Sequence, residues 1–187
     1  MAKIDWKPGN MLYPVPVVMV SSKRENEKPN IITVAWAGTI CSDPVMVSIS
    51  IRPERHSHAI ISETGEFVIN LVTEDITFAT DFCGVRSGKD VDKFAEMNLT
   101  PMESKKIKAP GIAESPVNLE CVVEEVKHLG SHDMFIARVV NVIVDDKYMD
   151  ENGKFDLNSA NLVAYSHGEY YTLGDLIGKF GYSVRKK

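Results

Sequence analysis

Short apolar runs rich in Val and Ile recur along the chain, each bounded by Pro, Gly, Asn or Asp. Runs of this kind predict β-strands. They fall at residues 15–21, 31–38, 45–51, 66–72, 117–126 and 134–144. A turn at 25–30 separates the first two, and a loop at 39–44 precedes the third. The segment from 128 to 133 reads as the loop of a hairpin joining the last two.

Alternate residues of a strand point to opposite faces. In the third run Val45, Val47, Ile49 and Ile51 share one face, and Met46, Ser48, Ser50 and Arg52 the other. In the second run Ile32, Val34 and Trp36 alternate with Ile31, Thr33, Ala35 and Ala37. That second face is mostly small. It suits either the close approach of a flat ligand or a strand packed under a helix.

Helical segments lie between the strands. Ser57 reads as an N-cap for 58–64, with Gly65 just past the end. Thr73 or Asp75 begins a segment carrying Phe78 and Phe82, stopped near Gly84. Asp90 reads as the cap of a short helix holding Val91, Phe94 and Met97. Near the C-terminus Thr172 to Leu176 resembles a helix start, with Gly178 and Gly181 keeping it short.

Composition narrows the class of protein. At 187 residues the prior is one domain, spanning 1–187, able to bury about 70% of its unfolded surface. The 21 basic and 26 acidic residues leave a net charge of -5. A nucleic-acid binder more often carries a basic excess, so none is expected. No apolar stretch approaches the roughly 20 residues of a membrane helix, and the N-terminus lacks a signal-peptide pattern. The expectation is a cytoplasmic protein acting on something small. Cys41, Cys83 and Cys121 form no disulfide framework and no metal-ligand spacing, and they read as buried apolar residues.

Four constellations can carry chemistry. Ser48, Ser50 and Arg52 lie on one strand face, which runs into Arg55, His56 and Ser57 at a helix start. A guanidinium fork beside free helix N–H groups suits a phosphate. A solvated face followed by an ordinary cap suits the same residues equally. The segment from Cys83 to Asp90, with Lys93 just beyond, could form a backbone nest. It is no P-loop, because Lys89 is followed by Asp90. His132 sits in the hairpin loop, either idle in solvent or facing a ligand. Tyr165, Tyr170 and Tyr171 cluster as a ligand wall, an interface or plain core. No nucleophilic triad motif is present.

In their joint order these segments resemble the flavin reductase-like family, whose fold is the FMN-binding split barrel, and in particular its flavoredoxin branch. The carrying residues are Asn30-Ile31-Ile32-Thr33-Val34-Ala35-Trp36-Ala37-Gly38 and Ser50-Ile51-Arg52-Pro53-Glu54-Arg55-His56-Ser57. Glu66-Phe67-Val68-Ile69-Asn70 follows, then Cys83-Gly84-Val85-Arg86-Ser87-Gly88-Lys89-Asp90-Val91-Asp92-Lys93-Phe94 and Gly130-Ser131-His132-Asp133-Met134-Phe135-Ile136. The segment beginning at Cys83 is the most specific. The common hairpin motif of the family is Gly-Asp-His, and here Ser131 replaces the Asp.

The resemblance implies a mainly β fold: a six-stranded antiparallel Greek-key split barrel with a few peripheral helices. It implies a homodimer and one non-covalent FMN per subunit. Asn30, Thr33, Ala35 and Trp36 would contact the flavin. Ser50, Arg52, His56 and Ser57 would border it, with Arg52 and Ser57 toward the phosphate. Lys93, His132 and Tyr165 would lie around the ring, and His132 is the one catalytic candidate. Two activities follow. The first is NAD(P)H-dependent reduction of flavin, with electrons passed to free flavin, ferric complexes or a partner. The second is a flavoredoxin-like carrier that moves electrons between redox partners without direct use of NAD(P)H.

Overall fold

The computed structural model describes residues 1–184. Twelve strands form in chain order: β1 (Val15–Pro16), β2 (Val18–Ser22), β3 (Asn30–Val34), β4 (Ala37–Ser42), β5 (Val45–Ile51), β6 (Glu66–Leu71), β7 (Pro101–Met102), β8 (Gly111–Ile112), β9 (Val117–His128), β10 (Asp133–Val144), β11 (Val163–Ser166) and β12 (Glu169–Thr172). Three α-helices accompany them: α1 (His56–Thr64), α2 (Thr77–Val85) and α3 (Lys93–Glu96). The main sheet is antiparallel, in the order β3-β2-β6-β9-β10-β5-β4. It is built from the six apolar runs read in the sequence.

The sheet has seven strands because the second run breaks. β3 and β4 are consecutive in the chain, yet they occupy opposite edges of the sheet. Only Ala35 and Trp36 join them, so the sheet must curl until its edges meet. The Ser50 N–H donates to the Trp36 carbonyl (2.8 Å) at that seam. The split barrel therefore closes at the small-residue stretch. The expected loop at 39–44 is likewise mostly strand. Thr39, Ile40 and Cys41 are good strand residues, and only the turn at Asp43-Pro44 interrupts them.

Alternation decides what each face buries. Val18, Val20, Ile32, Val34, Val47, Ile49 and Ile51 point into the barrel, with Phe67, Ile69, Cys121 and Phe135. Met19 and Ile31 point outward and are covered by α2, the turn before it and α3 through Ile76, Ala79, Cys83 and Phe94. β2 is buried along its whole length because both of its faces are covered. Cys83 and Cys121 are buried, and Cys41 is half-buried.

Helix boundaries differ from the sequence expectation in three places. Arg55, not Ser57, is the N-cap of α1; Ser57 lies in the first turn, where its Oγ accepts from Asn30 Nδ2 (2.7 Å). Gly65 ends α1 in the left-handed region as expected (φ 67°). Asp92, not Asp90, caps α3, accepting from the Ala95 N–H (3.2 Å). Residues 172–176 start no helix. β11 and β12 form a hairpin paired with β1, and Leu173, Leu176 and Ile177 beyond it are exposed. Glycines at 174 and 178 disfavour a helix, and Leu173, Leu176 and Ile177 are exposed rather than packed, so no burial offsets that cost.

One buried carboxylate pins the long excursion between β7 and β8. Glu120 is fully buried; it accepts from the N–H groups of Lys105 (2.8 Å) and Lys106 (2.7 Å) and from Asn141 Nδ2 (3.0 Å). Glu120→Ala is expected to cost about 3 kcal/mol, since it removes a buried carboxylate that accepts three hydrogen bonds. A urea-melt midpoint unchanged from wild type would contradict this.

Candidate functional site

Two adjoining clefts run along the seam where the sheet closes. The first, about 220 Å³, is walled by Ile32 to Trp36 of the β3–β4 link and by Ser50, Ile51 and Arg52 at the end of β5. Arg55, Gly84 and His132 complete it. The second, about 180 Å³, is lined by Asn30, Glu54, His56, Ser57, Arg86, Ser87, Gly88 and Lys93. Ile32 and Arg55 border both, so the clefts form one trough with a flatter end and a donor-rich end.

Local folding explains the placement. β5 ends at Ile51 and α1 begins at His56, so Arg52 to Ser57 must turn across one end of the barrel. The Arg55 N–H bonds to the Arg52 carbonyl and the His58 N–H to the Arg55 carbonyl (both 3.0 Å), which makes that turn compact. The Arg55 guanidinium reaches the Gly84 carbonyl at the end of α2. The turn from Arg86 to Asp92 then brings Gly88 against Asn30 and His56.

Lys93 is the buried cation beneath the donor-rich end, only 3% exposed. Its Nζ donates to the carbonyls of Ile31 (2.7 Å) and Cys83 (2.8 Å). An ammonium carries three protons, so one donor is left for a ligand. Burial pulls Lys93 down to about 8, with Arg55 adding to the effect. Burial also lowers His56, as do the positive charges of Arg24, Lys89 and Lys93 around it. Cys83 beside Lys93 is pushed up to about 11 by burial, which keeps it a thiol.

Of the eleven site residues named from the sequence, ten border the trough: Thr33, Ala35, Trp36, Ser50, Arg52 and His132 in the first cleft, and Asn30, His56, Ser57 and Lys93 in the second. Tyr165 lines neither. It packs against Tyr13 (ring centroids 6.1 Å apart) and edge-on to Tyr170 (5.7 Å), and Tyr13 lies between it and Trp36. The Thr33 hydroxyl already donates to the Thr80 carbonyl, whereas Ser57 Oγ accepts from the Asn30 amide and keeps its own proton to donate. The outer face of β3 thus divides. Ile31 packs under the helices, Thr33 bonds to α2 and also borders the cleft, and Ala35, just past the strand, borders the cleft. Ser57 lies at the donor-rich end and Arg52 at the flatter end, exposed and 3.7 Å from Glu54. His132 pairs its Nδ1 with Ser131 Oγ (2.9 Å).

Arg55, Arg86, Ser87 and Gly88 also line the trough: Arg55 stood in the phosphate constellation and the other three in the candidate nest, but none was carried over as a flavin contact. All four stand inside the two quoted segments. The signal for Arg55 was its position directly before His56 and Ser57.

A family model described as the flavin reductase like domain matches residues 10–174. An uncharacterized protein of Archaeoglobus fulgidus is 33% identical over 161 residues, 86% of this chain and 89% of that one. The flavoredoxin of Desulfovibrio vulgaris (Miyazaki F) superposes with a TM-score of 0.90 at 28% identity, covering 98% of this chain and all of that one. The reductase component of a 4-nitrophenol 4-monooxygenase/4-nitrocatechol 2-monooxygenase from Rhodococcus opacus is 29% identical over 113 residues, 58% of this chain and 55% of that one.

Proposed function

The chain belongs to the flavin reductase like domain family, and from that premise we propose that it binds FMN non-covalently and reduces it with NAD(P)H, passing electrons to free flavin or ferric complexes. The observation that carries the reading is the trough itself, a flat-walled cleft joined through Arg55 to a donor-rich one. That pairing fits a planar ring linked to a phosphate. The donor set fits too: a helix N-terminus, the Ser87-Gly88 turn, and a buried ammonium with one proton unspent.

When bound, FMN supplies the ring that accepts and releases electrons. The chain's residues would do the rest. Lys93, His56, Arg55 and the Ser87-Gly88 turn hold the phosphate end. Ala35, Val34 and Trp36 give the ring a flat wall close to the backbone. Arg52 and His132 stand at the outer rim, where a cation or N–H donor stabilises negative charge gathered on the reduced ring. His132 is the catalytic candidate in that limited sense, since hydride transfer needs no protein acid or base.

Likeness to a flavoredoxin along 98% of the chain favours a second reading, an electron carrier between proteins in the cytoplasm. Exposed Trp6, Leu12, Ile177 and Phe180 support a homodimer or a docked redox partner in either case. Anaerobic mixing of the yellow holoprotein separates the activities. Rapid bleaching of the flavin band by NADH or NADPH is the expected result. Bleaching only by a reduced ferredoxin-type donor would favour the carrier, and a protein that takes up no FMN would end both readings.

A further inference from the structure

Asp133 is 5% exposed, at the first position of β10 and next to His132. Its carboxylate has two imidazole partners: Oδ2 meets His58 Nε2 at 2.8 Å, and Oδ1 meets His128 Nδ1 at 2.9 Å. Burying a carboxylate costs free energy unless such partners answer it. The cost is informative because of where the partners lie.

Asp133 is in register with Ile51 of β5 on one side and with His128 of β9 on the other. Residues 52–57, the turn after Ile51 and the first two residues of α1, leave the sheet and lead to His58, whose ring meets Asp133. That loop therefore begins beside the Asp133 backbone and ends on the Asp133 side chain. Residues 129–132 leave after His128 and return at Asp133, with the Leu129 N–H on the His132 carbonyl (3.0 Å). That loop too is closed at both ends on Asp133. The first loop carries Arg52, Arg55, His56 and Ser57, and the second carries His132. The His58 ring is itself fixed, 5.2 Å from the buried Phe135 ring in an edge contact.

We infer that Asp133 is a positioning residue, one carboxylate that closes both loops flanking the trough and holds its phosphate-type end and its His132 end in fixed relation. The functional half of this rests on the flavin reading above; the structural half does not. The arrangement divides the work by arm. His58 governs loop 52–57 and His128 governs loop 129–132.

Amide hydrogen exchange tests this without flavin. The Arg55, His58 and Leu129 amides are each hydrogen-bonded inside these loops, so each has protection to lose. In Asp133→Ala all three are expected to exchange about tenfold faster or more, with β2 and β6 unchanged. His58→Ala speeds Arg55 and His58 alone, and His128→Ala speeds Leu129 alone. Asp133→Asn, which keeps one acceptor and gains a donor, restores part of the protection. In flavin-binding protein, Asp133→Ala and His58→Ala lower the ratio of FMN affinity to riboflavin affinity several-fold, while His128→Ala leaves it. Should Asp133→Ala not fold, the two histidine variants decide, since the His128 side chain is 80% exposed. Unchanged loop exchange, or a rise spread evenly over the sheet, overturns the inference. An unchanged affinity ratio in protein that binds flavin overturns it as well. Wild-type protein without flavin affinity refutes the functional reading, and exchange alone then judges the clamp.

Discussion

Gly88→Ala is expected to lower FMN affinity by about ten- to a hundredfold while leaving the fold intact. A Cβ built at Gly88 falls 1.9 Å from Asn30 Oδ1, 2.7 Å from Asn30 Cγ and 3.2 Å from His56 Cδ2. The Asn30 amide has little room to yield, because it is buried and donates to Ser57 Oγ. One methyl therefore displaces Asn30, frees Ser57 and pushes on His56, three groups at the phosphate-type end. Overpacking of this kind costs about 1–3 kcal/mol. Gly84→Ala is the control, since its Cβ meets Thr33 Cβ at 3.2 Å and needs only a small shift. Titrations of both variants with FMN and riboflavin check the claim. Gly88→Ala should lose FMN selectively; equal losses in the two variants, or for the two ligands, would refute the crowding argument.

How much of this was legible beforehand depends on the length scale of each feature. The strand runs were visible because an apolar period of two is a local property, and β5 shows it cleanly in Val47, Ile49 and Ile51. The break at Ala35-Trp36 was not, because it follows from closing a sheet whose edges are consecutive in sequence. No local propensity announces a strand that must serve both edges. Caps were misplaced by two residues at Ser57 and Asp90 for a related reason. Both are good capping residues, but tertiary contacts gave Ser57 to Asn30, and Asp92 holds the Ala95 N–H.

The candidate site was legible as segments and only partly as geometry. Residues on the β3–β4 link and on the turn before α1 converge, as the order of the motifs implied. Lys93 was read as a ring contact; in the structure it is buried and lines the donor-rich cleft. A four-residue helix capped by Asp92 sets that position. Tyr165 was carried over from the family resemblance; in the hairpin of β11 and β12 it packs against Tyr13 and Tyr170. Asp133 gave no signal, because its partners are 75 and 5 residues away and meet only through the sheet register.

Lys93→Met is expected to weaken FMN binding at neutral pH by about tenfold or more and to flatten its pH dependence. In wild type, Lys93 sits near 8 when the trough is free, because burial penalises its charge. A bound phosphate dianion raises it again, so above pH 8 binding must take up a proton. FMN affinity should then fall by up to tenfold per pH unit above about 8. The free protein shows the opposite trend. An unfolded Lys titrates near 10.5, so between about 8 and 10.5 the unfolded chain holds more protons than the folded one. Stability attributable to Lys93 therefore rises with pH in that window. Lys93→Met removes both trends together, and its difference from wild type isolates them from other titrating groups. FMN titrations and urea melts on the two proteins, from about pH 7 to about pH 10, give both curves. Wild-type affinity that stays level above pH 8 would place the phosphate away from Lys93, and affinity and stability falling together would point to general unfolding rather than to this buried ammonium.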